Sequence, residues 1–317
     1  MEKVKNFPRI FVFVIILLVA STLAAWYVTK SVADRETAKL FNDEATVVES
    51  WITNRLEFYK TITYGLQGFW AGGEVVTEKE WQTYVATLKI KERFPGVTSL
   101  TFIRRENNNY FITFIYPPER KAALETNLAA EERRLRAINR AVDNNSVTVT
   151  DKISLVADQS PGFVMFAPLY KTGFPIDTIE ARRIAVEGLA SVAFRSEQVF
   201  KDLFDAHDTF PYLDFELFKG QVLEEDHILY DHDYSHHISK IERKGRLETK
   251  RTINSDGETF TLLVSSKPTF GLKPLEEKLP NLVLIIGLAF DFLIFLFVLR
   301  ECLELQKSNF PKSRQSR

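Results

Sequence analysis

The chain is short of several things. One cysteine in 317 residues excludes a disulfide framework and any Cys-rich zinc or iron–sulfur centre. There is no basic excess: 41 Lys and Arg against 42 Asp and Glu give a formal net charge of −1, which argues against nucleic acid as a partner. No internal repeat and no low-complexity segment is present. There is no phosphate-cradling Gly-rich loop with a lysine, no nucleophile elbow and no His-Glu-x-x-His, so neither an enzyme nor a cofactor is expected. Disorder is excluded too, because 45% of the residues are hydrophobic and 13% aromatic.

What the chain does have is apolar sequence at its two ends. Ile10 to Val28 is an uncharged run of 19 residues. As a helix it reaches about 28 Å, close to the roughly 30 Å hydrocarbon core of a bilayer. Trp26 and Tyr27 close it where amphipathic rings sit at the interface. A cleaved signal peptide is the alternative, with Lys3, Lys5 and Arg9 as its basic region. Leu282 to Leu299 is a second run, of 18 residues, broken only by Asp291. Met1–Arg9 carries a net +2 and Arg300–Arg317 a net +3, which leaves −6 for the rest. The positive-inside tendency therefore places both tails in the cytoplasm and the central region outside a cell membrane, the inner one in a Gram-negative bacterium. Cys302 falls on the reducing side, and an exported region without cysteine pairs fits a bacterial envelope.

The expected layout is a cytoplasmic N-terminus (1–9), a membrane helix (10–28), a long helix (30–72), a larger α+β unit (73–206), a smaller β-rich unit (207–278), a second membrane helix (282–299) and a short tail (300–317). In the long helix, Phe41, Ala45, Val48, Ile52, Arg55, Tyr59, Ile62, Leu66 and Phe69 step by fours and threes. Such a seam suits helix pairing, within its own domain or as a dimerisation stalk with a second copy. After a helical stretch at 81–93, strands are expected at 98–105, 110–116, 147–155, 161–170 and 184–194. The fourth is apolar on both faces and so central. Asn127 reads as the N-cap of a helix whose apolar face is Leu128, Leu135, Ile138 and Val142. Ser196 caps one more helix. Hairpin turns are expected at 218–221 and 255–258.

The order Arg93-Phe94-Pro95-Gly96-Val97, Phe102 to Arg105, Arg133 to Ala141, Val147 to Thr150, Pro161 to Tyr170 and Gly188 to Arg195 resembles the CHASE domain. This is the extracellular sensory module of histidine kinases and nucleotide cyclases. The resemblance covers about Phe41 to Lys267. It implies an α+β fold of a long N-terminal helix and two PAS-like antiparallel-sheet units between membrane helices, with a small-molecule pocket in the membrane-distal unit. In most such receptors the last span leads into a kinase, cyclase or PAS output domain, so a cytoplasmic kinase or cyclase is the expected partner. The homodimer is expected from the seam of the long helix and from Asp291. In cytokinin-binding relatives an acidic side chain and a backbone group hold an adenine-like ring. Their positions fall on Asn127 and Val149, with Tyr110, Gln159 and Met165 as further candidate contacts. Asparagine lacks the carboxylate's charge-assisted bond, although its amide can still read a purine edge. The 18 residues after Leu299 are too few for an enzymatic output domain, so the sensor would act through a partner or the chain is part of a longer receptor. The competing class is an assembly protein whose outer domain only contacts other proteins.

Three other features stand out. His227, His232, His236 and His237, interleaved with Asp226, Asp231 and Asp233, read as a solvated loop, with zinc binding or a pH response as alternatives. Arg104 and Arg105 read as solvated strand-end residues, with an anionic ligand as the alternative. Asp291 and Gly287 lie one turn apart on one helix face, which marks a membrane helix contact. The partner would be Ser21 or Thr22 of the first span, or Asp291 of a second copy.

Overall fold

The computed structural model describes residues 7–72, 76–204, 210–232, 247–271 and 274–308. Two antiparallel sheets follow a long helix. The helix α1 runs Phe7–Ala71, with no proline after its first turn to stop it. Next come α2 (Glu78–Thr87), α3 (Ile90–Arg93), β1 (Val97–Glu106) and β2 (Asn109–Tyr116). Thr77 starts α2 through a capping box with Glu80. After two 3-10 turns the chain forms α4 (Glu132–Asn144), β3 (Thr148–Val149), β4 (Ile153–Ser154), β5 (Pro161–Tyr170), α5 (Ile179–Ala185), β6 (Val186–Arg195), α6 (Ser196–Val199) and α7 (Lys201–Phe204). The first sheet has the order β2-β1-β6-β5-β3, with β4 also on β5. β5 is buried along nearly its whole length, as a central strand with both faces covered must be.

The second sheet is β8-β7-β10-β9, built from β7 (Leu213–Lys219), β8 (Ile228–Asp231), β9 (Glu248–Ser255) and β10 (Glu258–Ser266). Asp256 and Gly257, both at positive φ, turn β9 into β10. The expected hairpin at 218–221 is not a tight one. β7 and β8 pair, but residues 220–227 join them and end in a 3-10 turn, Glu225–His227. Residues Asn42–Thr269 form one compact unit that holds both sheets; the helical segments before and after it form another.

The seam of α1 is filled from within its own unit. Ala45, Val48, Ile52, Tyr59 and Leu66 are fully buried, and Leu56 with them. Tyr59 donates to the Pro95 carbonyl at 2.6 Å, and Gln67 to the Pro168 carbonyl at 2.6 Å. Arg251 of β9 reaches Glu49 at 2.8 Å. A second copy would therefore have to use other faces of this helix. Lys60 on α1 is fully buried against Ser255 and the Asp256 carboxylate, and burial pushes its pKa down.

Two expectations around α4 need correcting. Asn127 does not start that helix: it caps the 3-10 turn Leu128–Ala130, and the Glu131 carboxylate caps α4 through the Arg133 and Arg134 amides. The break rotates the helix, so its buried face is Arg134, Ala137, Ile138, Ala141 and Val142. The strand expected at 147–155 is split into β3 and β4. The carbonyls of Val149, Lys152 and Ser154 accept from Arg140, Arg133 and Arg134. A ladder needs such carbonyls for a neighbouring strand.

In the other unit, both apolar helices are long and apolar enough to cross a membrane. α8 (Pro274–Ser308) meets the first part of α1, where Thr22 Oγ1 donates to Asp291 Oδ2 at 2.9 Å. A Cβ on Gly287 would lie 2.5 Å from Thr22 Cγ2, so only glycine permits this approach. Ser21 instead donates to the Leu18 carbonyl at 2.7 Å. Phe11 stacks on Phe295, ring centroids 5.9 Å apart. Thr22→Val and Asp291→Leu should be non-additive in a double-mutant cycle of unfolding in lipid, with a coupling of about 0.6 to 1.7 kcal/mol. Strict additivity would show the contact to be inert.

Candidate functional site

The N-terminus of α4 opens onto a cavity of about 680 Å³. Thr126, Asn127, Glu131, Arg133 and Arg134 form one side of it, and Lys152, Ser154 and Gln159 another. Glu225 and Asp226, from the turn before β8, complete the rim. Behind it lies an inner cavity of about 30 Å³, room for a water molecule or two, between the first sheet and the segment Leu155–Ala157. Ser99, Thr101 and Ser191 face this inner space from the sheet, with Thr101 and Ser191 hydroxyls 2.6 Å apart.

Arg134 lines both cavities. Its guanidinium donates to the Ser154 carbonyl and lies 3.9 Å from the Glu131 carboxylate. Both oxygens of that carboxylate are already engaged by helix amides. Burial pushes the Arg134 pKa down, and Glu131 offsets only part of this. A cation held here is short of negative charge, because leaving water costs more than one distant carboxylate returns.

The site residues expected from the sequence separate into three places. Asn127 and Gln159 line the large cavity. Three of the four hydrogen-bonding positions of the Asn127 amide are used: its oxygen accepts from the Tyr110 and Ala129 amides at 3.1 Å each, and its nitrogen donates to Asn109 at 2.9 Å. Tyr110 instead lines a groove of about 440 Å³ with Arg105, Asn139 and Asp143. Val149 and Met165 are paired partners in the ladder of β3 and β5, both fully buried, and neither lines a cavity described here. Arg104 is half exposed and pairs with Glu106 at 2.9 Å, while Arg105 donates to the Asn107 and Arg183 carbonyls.

His227 Nδ1 lies 3.2 Å from Asp151, and His232 stacks on Phe215 with centroids 4.3 Å apart. Asp233, His236 and His237 lie outside the described residues. Among the described residues no three His, Cys, Asp or Glu side chains converge on a metal position.

The lining residues not read as ligand contacts from the sequence are Glu131, Arg133, Arg134 and Asp226, the last of which the sequence marks only as part of the histidine-rich loop. One signal was available. Arg134 stands three and four residues before Ala137 and Ile138, and so falls on the buried stripe of an amphipathic helix, where arginine is anomalous.

Asp158 closes the loop over the inner cavity. It accepts from Arg195 at 2.6 Å, Arg120 at 2.9 Å, and Ser160 Oγ and N at 2.6 and 3.1 Å. Burial pushes its pKa up, but these bonds outweigh it and hold the carboxyl well below the usual carboxylate range. A carboxylate depressed in the folded state stabilises above its unfolded pKa of about 3.9 and loses that contribution as pH falls toward the native value. The Tm difference between wild type and Asp158→Asn should therefore be constant from neutral pH to about pH 5 and shrink below about pH 4. A difference independent of pH would remove the charge from this account.

The fold is similar to that of solved chemoreceptor ligand-binding domains. The ligand-binding domain of the Pseudomonas aeruginosa amino acid chemoreceptor PctC, solved with GABA, superposes with a TM-score of 0.50 at 15% identity, covering 73% of this chain and 99% of that one. The Campylobacter jejuni chemoreceptor Tlp3 sensory domain with isoleucine gives 0.48 at 13% identity, covering 76% and 97%. The Pseudomonas fluorescens CtaA domain with L-alanine gives 0.48 at 11%, covering 74% and 98%. No curated protein matches the chain. Residues 104–230 match the model of the CHASE domain family. The match spans both walls of the cavity, from Glu131–Arg134 to Asp226.

Proposed function

We propose that this chain is a non-catalytic membrane sensor that binds a small molecule with an acidic group in the cavity at the start of α4. Binding moves its two membrane helices and signals to a separate cytoplasmic kinase or cyclase. The chain acts as a homodimer, with both tails cytoplasmic and the sheets outside the membrane. Neither the family match nor the fold match is to an enzyme.

The observation that carries the ligand class is Arg134: a buried guanidinium short of negative charge, reaching both cavities. An acidic group is the chemistry that answers it, through a charge-assisted bond. A purine edge is the weaker reading, because the Asn127 oxygen already accepts from two amides and could accept from a purine only by giving one up. GABA, present in the PctC structure, belongs to the favoured class, a small molecule ending in a carboxylate.

The test is a thermal-shift screen of the full chain in lipid nanodiscs against amino acids, dicarboxylates, phosphate and purines. A ligand at a hundred times its Kd should add about 2.7 kcal/mol. Arg134→Leu should abolish the response to an acidic compound. If no compound class moves the midpoint, the sensor reading fails. If a purine binds and Arg134→Leu leaves its binding intact, the acidic ligand is replaced.

A further inference from the structure

One side of α4 carries Arg133, Arg136 and Arg140, spaced three and four residues apart and so aligned along the helix. Each meets an acid. Arg133 Nη2 lies 3.3 Å from Asp226, and Arg140 Nε lies 3.3 Å from Glu258. Arg136, which also holds Glu132 at 2.6 Å, lies 3.6 Å from Asp151, whose other oxygen is 3.2 Å from His227 Nδ1. Asp226 and His227 belong to the turn that leads directly into β8, and Glu258 is the first residue of β10. The first rung therefore ends on the turn into β8 and the last on β10, while the middle one reaches that turn through Asp151 and His227.

The rungs are unequal. Glu258 is buried against Lys219, whose pKa burial and the Arg140 charge push down to about 7. Asp226 is 73% exposed and its pairing with Arg133 is weak for that reason. Of the three, only the first has both partners on the wall of the large cavity. A ligand there competes for a bond that is both reachable and easily broken.

Resting on the reading of this cavity as the ligand site, we propose that the ligand's acidic group takes Arg133 from Asp226 and so frees the turn before β8. Occupancy is thereby passed to the second sheet, whose strand β10 leads in sequence to α8. The ligand acts by favouring the state with the first rung open, which is the only way a bound molecule shifts a conformational equilibrium.

The experiment uses the full chain in nanodiscs with succinate and inorganic phosphate as probes, against sodium chloride of equal ionic strength. Affinity is read by calorimetry, and backbone exchange over Ile228–Asp231 by hydrogen–deuterium mass spectrometry. A bound probe should raise exchange in β8 of the wild type. Asp226→Asn, with the internal competitor gone, should bind the probe at least about fivefold more tightly, with β8 already loosened before addition. Arg133→Gln should bind more weakly and show no change in β8. Equal affinity in Asp226→Asn, or a bound probe with unchanged β8 exchange, overturns the proposal. Should Asp226→Asn not fold, unchanged affinity in Arg133→Gln overturns it instead. If neither probe binds while another compound of the screen does, this inference fails and the sensor stands. If nothing binds, both fall.

Discussion

A guanidinium that leaves water needs acceptors, and α4 buries Arg134 and partly buries Arg133 and Arg140 beside the exposed Arg136. Backbone carbonyls of Val149, Lys152 and Ser154, along the edge formed by the two-residue strands β3 and β4, supply three of them. Carboxylates of Glu131, Asp151, Asp226 and Glu258 supply the rest of the negative charge. The irregular edge of the first sheet, the cavity beside it and the second sheet all meet the arginines of α4. Burial lowers the pKa of both Arg134 and Arg140, and the nearest carboxylate to Arg134, Glu131, is 3.9 Å away.

The long helix solves a different problem. Its seam from Ala45 to Leu66 supplies the apolar floor on which the sheets are arranged, and its polar side chains reach carbonyls at two separate places, Pro95 and Pro168. Lys60 belongs to the same logic as α4: a buried ammonium made tolerable by Ser255, Asp256 and the nearby Glu57. Buried cations of this kind specify how elements meet more than they stabilise, because an unpaired alternative arrangement would leave a charge without partners.

The site combines a rigid wall and a weak one. Glu131 fixes the start of α4, and Asp158 fixes the loop over the inner cavity through two arginines. The opposite rim is the turn Glu225–His227, held by the exposed pairing of Asp226 with Arg133 and by the contact of His227 with Asp151. A pocket built this way can order a ligand against the rigid side while its other side yields, the arrangement a receptor needs and an inert contact surface does not.

The residues alone determined the two apolar helices, the long seam, most strands of both sheets and the order of motifs shared with the CHASE domain. Each of these is a local signal: hydrophobic length, a period of three and four, or β-branched runs bounded by turns. Asp256-Gly257 was legible as a turn because positive φ demands such residues. Only the folded chain decided where α4 begins, that 147–155 breaks into two short strands, that α1 spends its seam on its own domain, and that Thr22 meets Asp291. Those outcomes depend on which distant groups satisfy a buried charge or fill an apolar face. Pairings between residues a hundred or more positions apart, such as Lys60 with Asp256, leave no periodicity along the sequence to read.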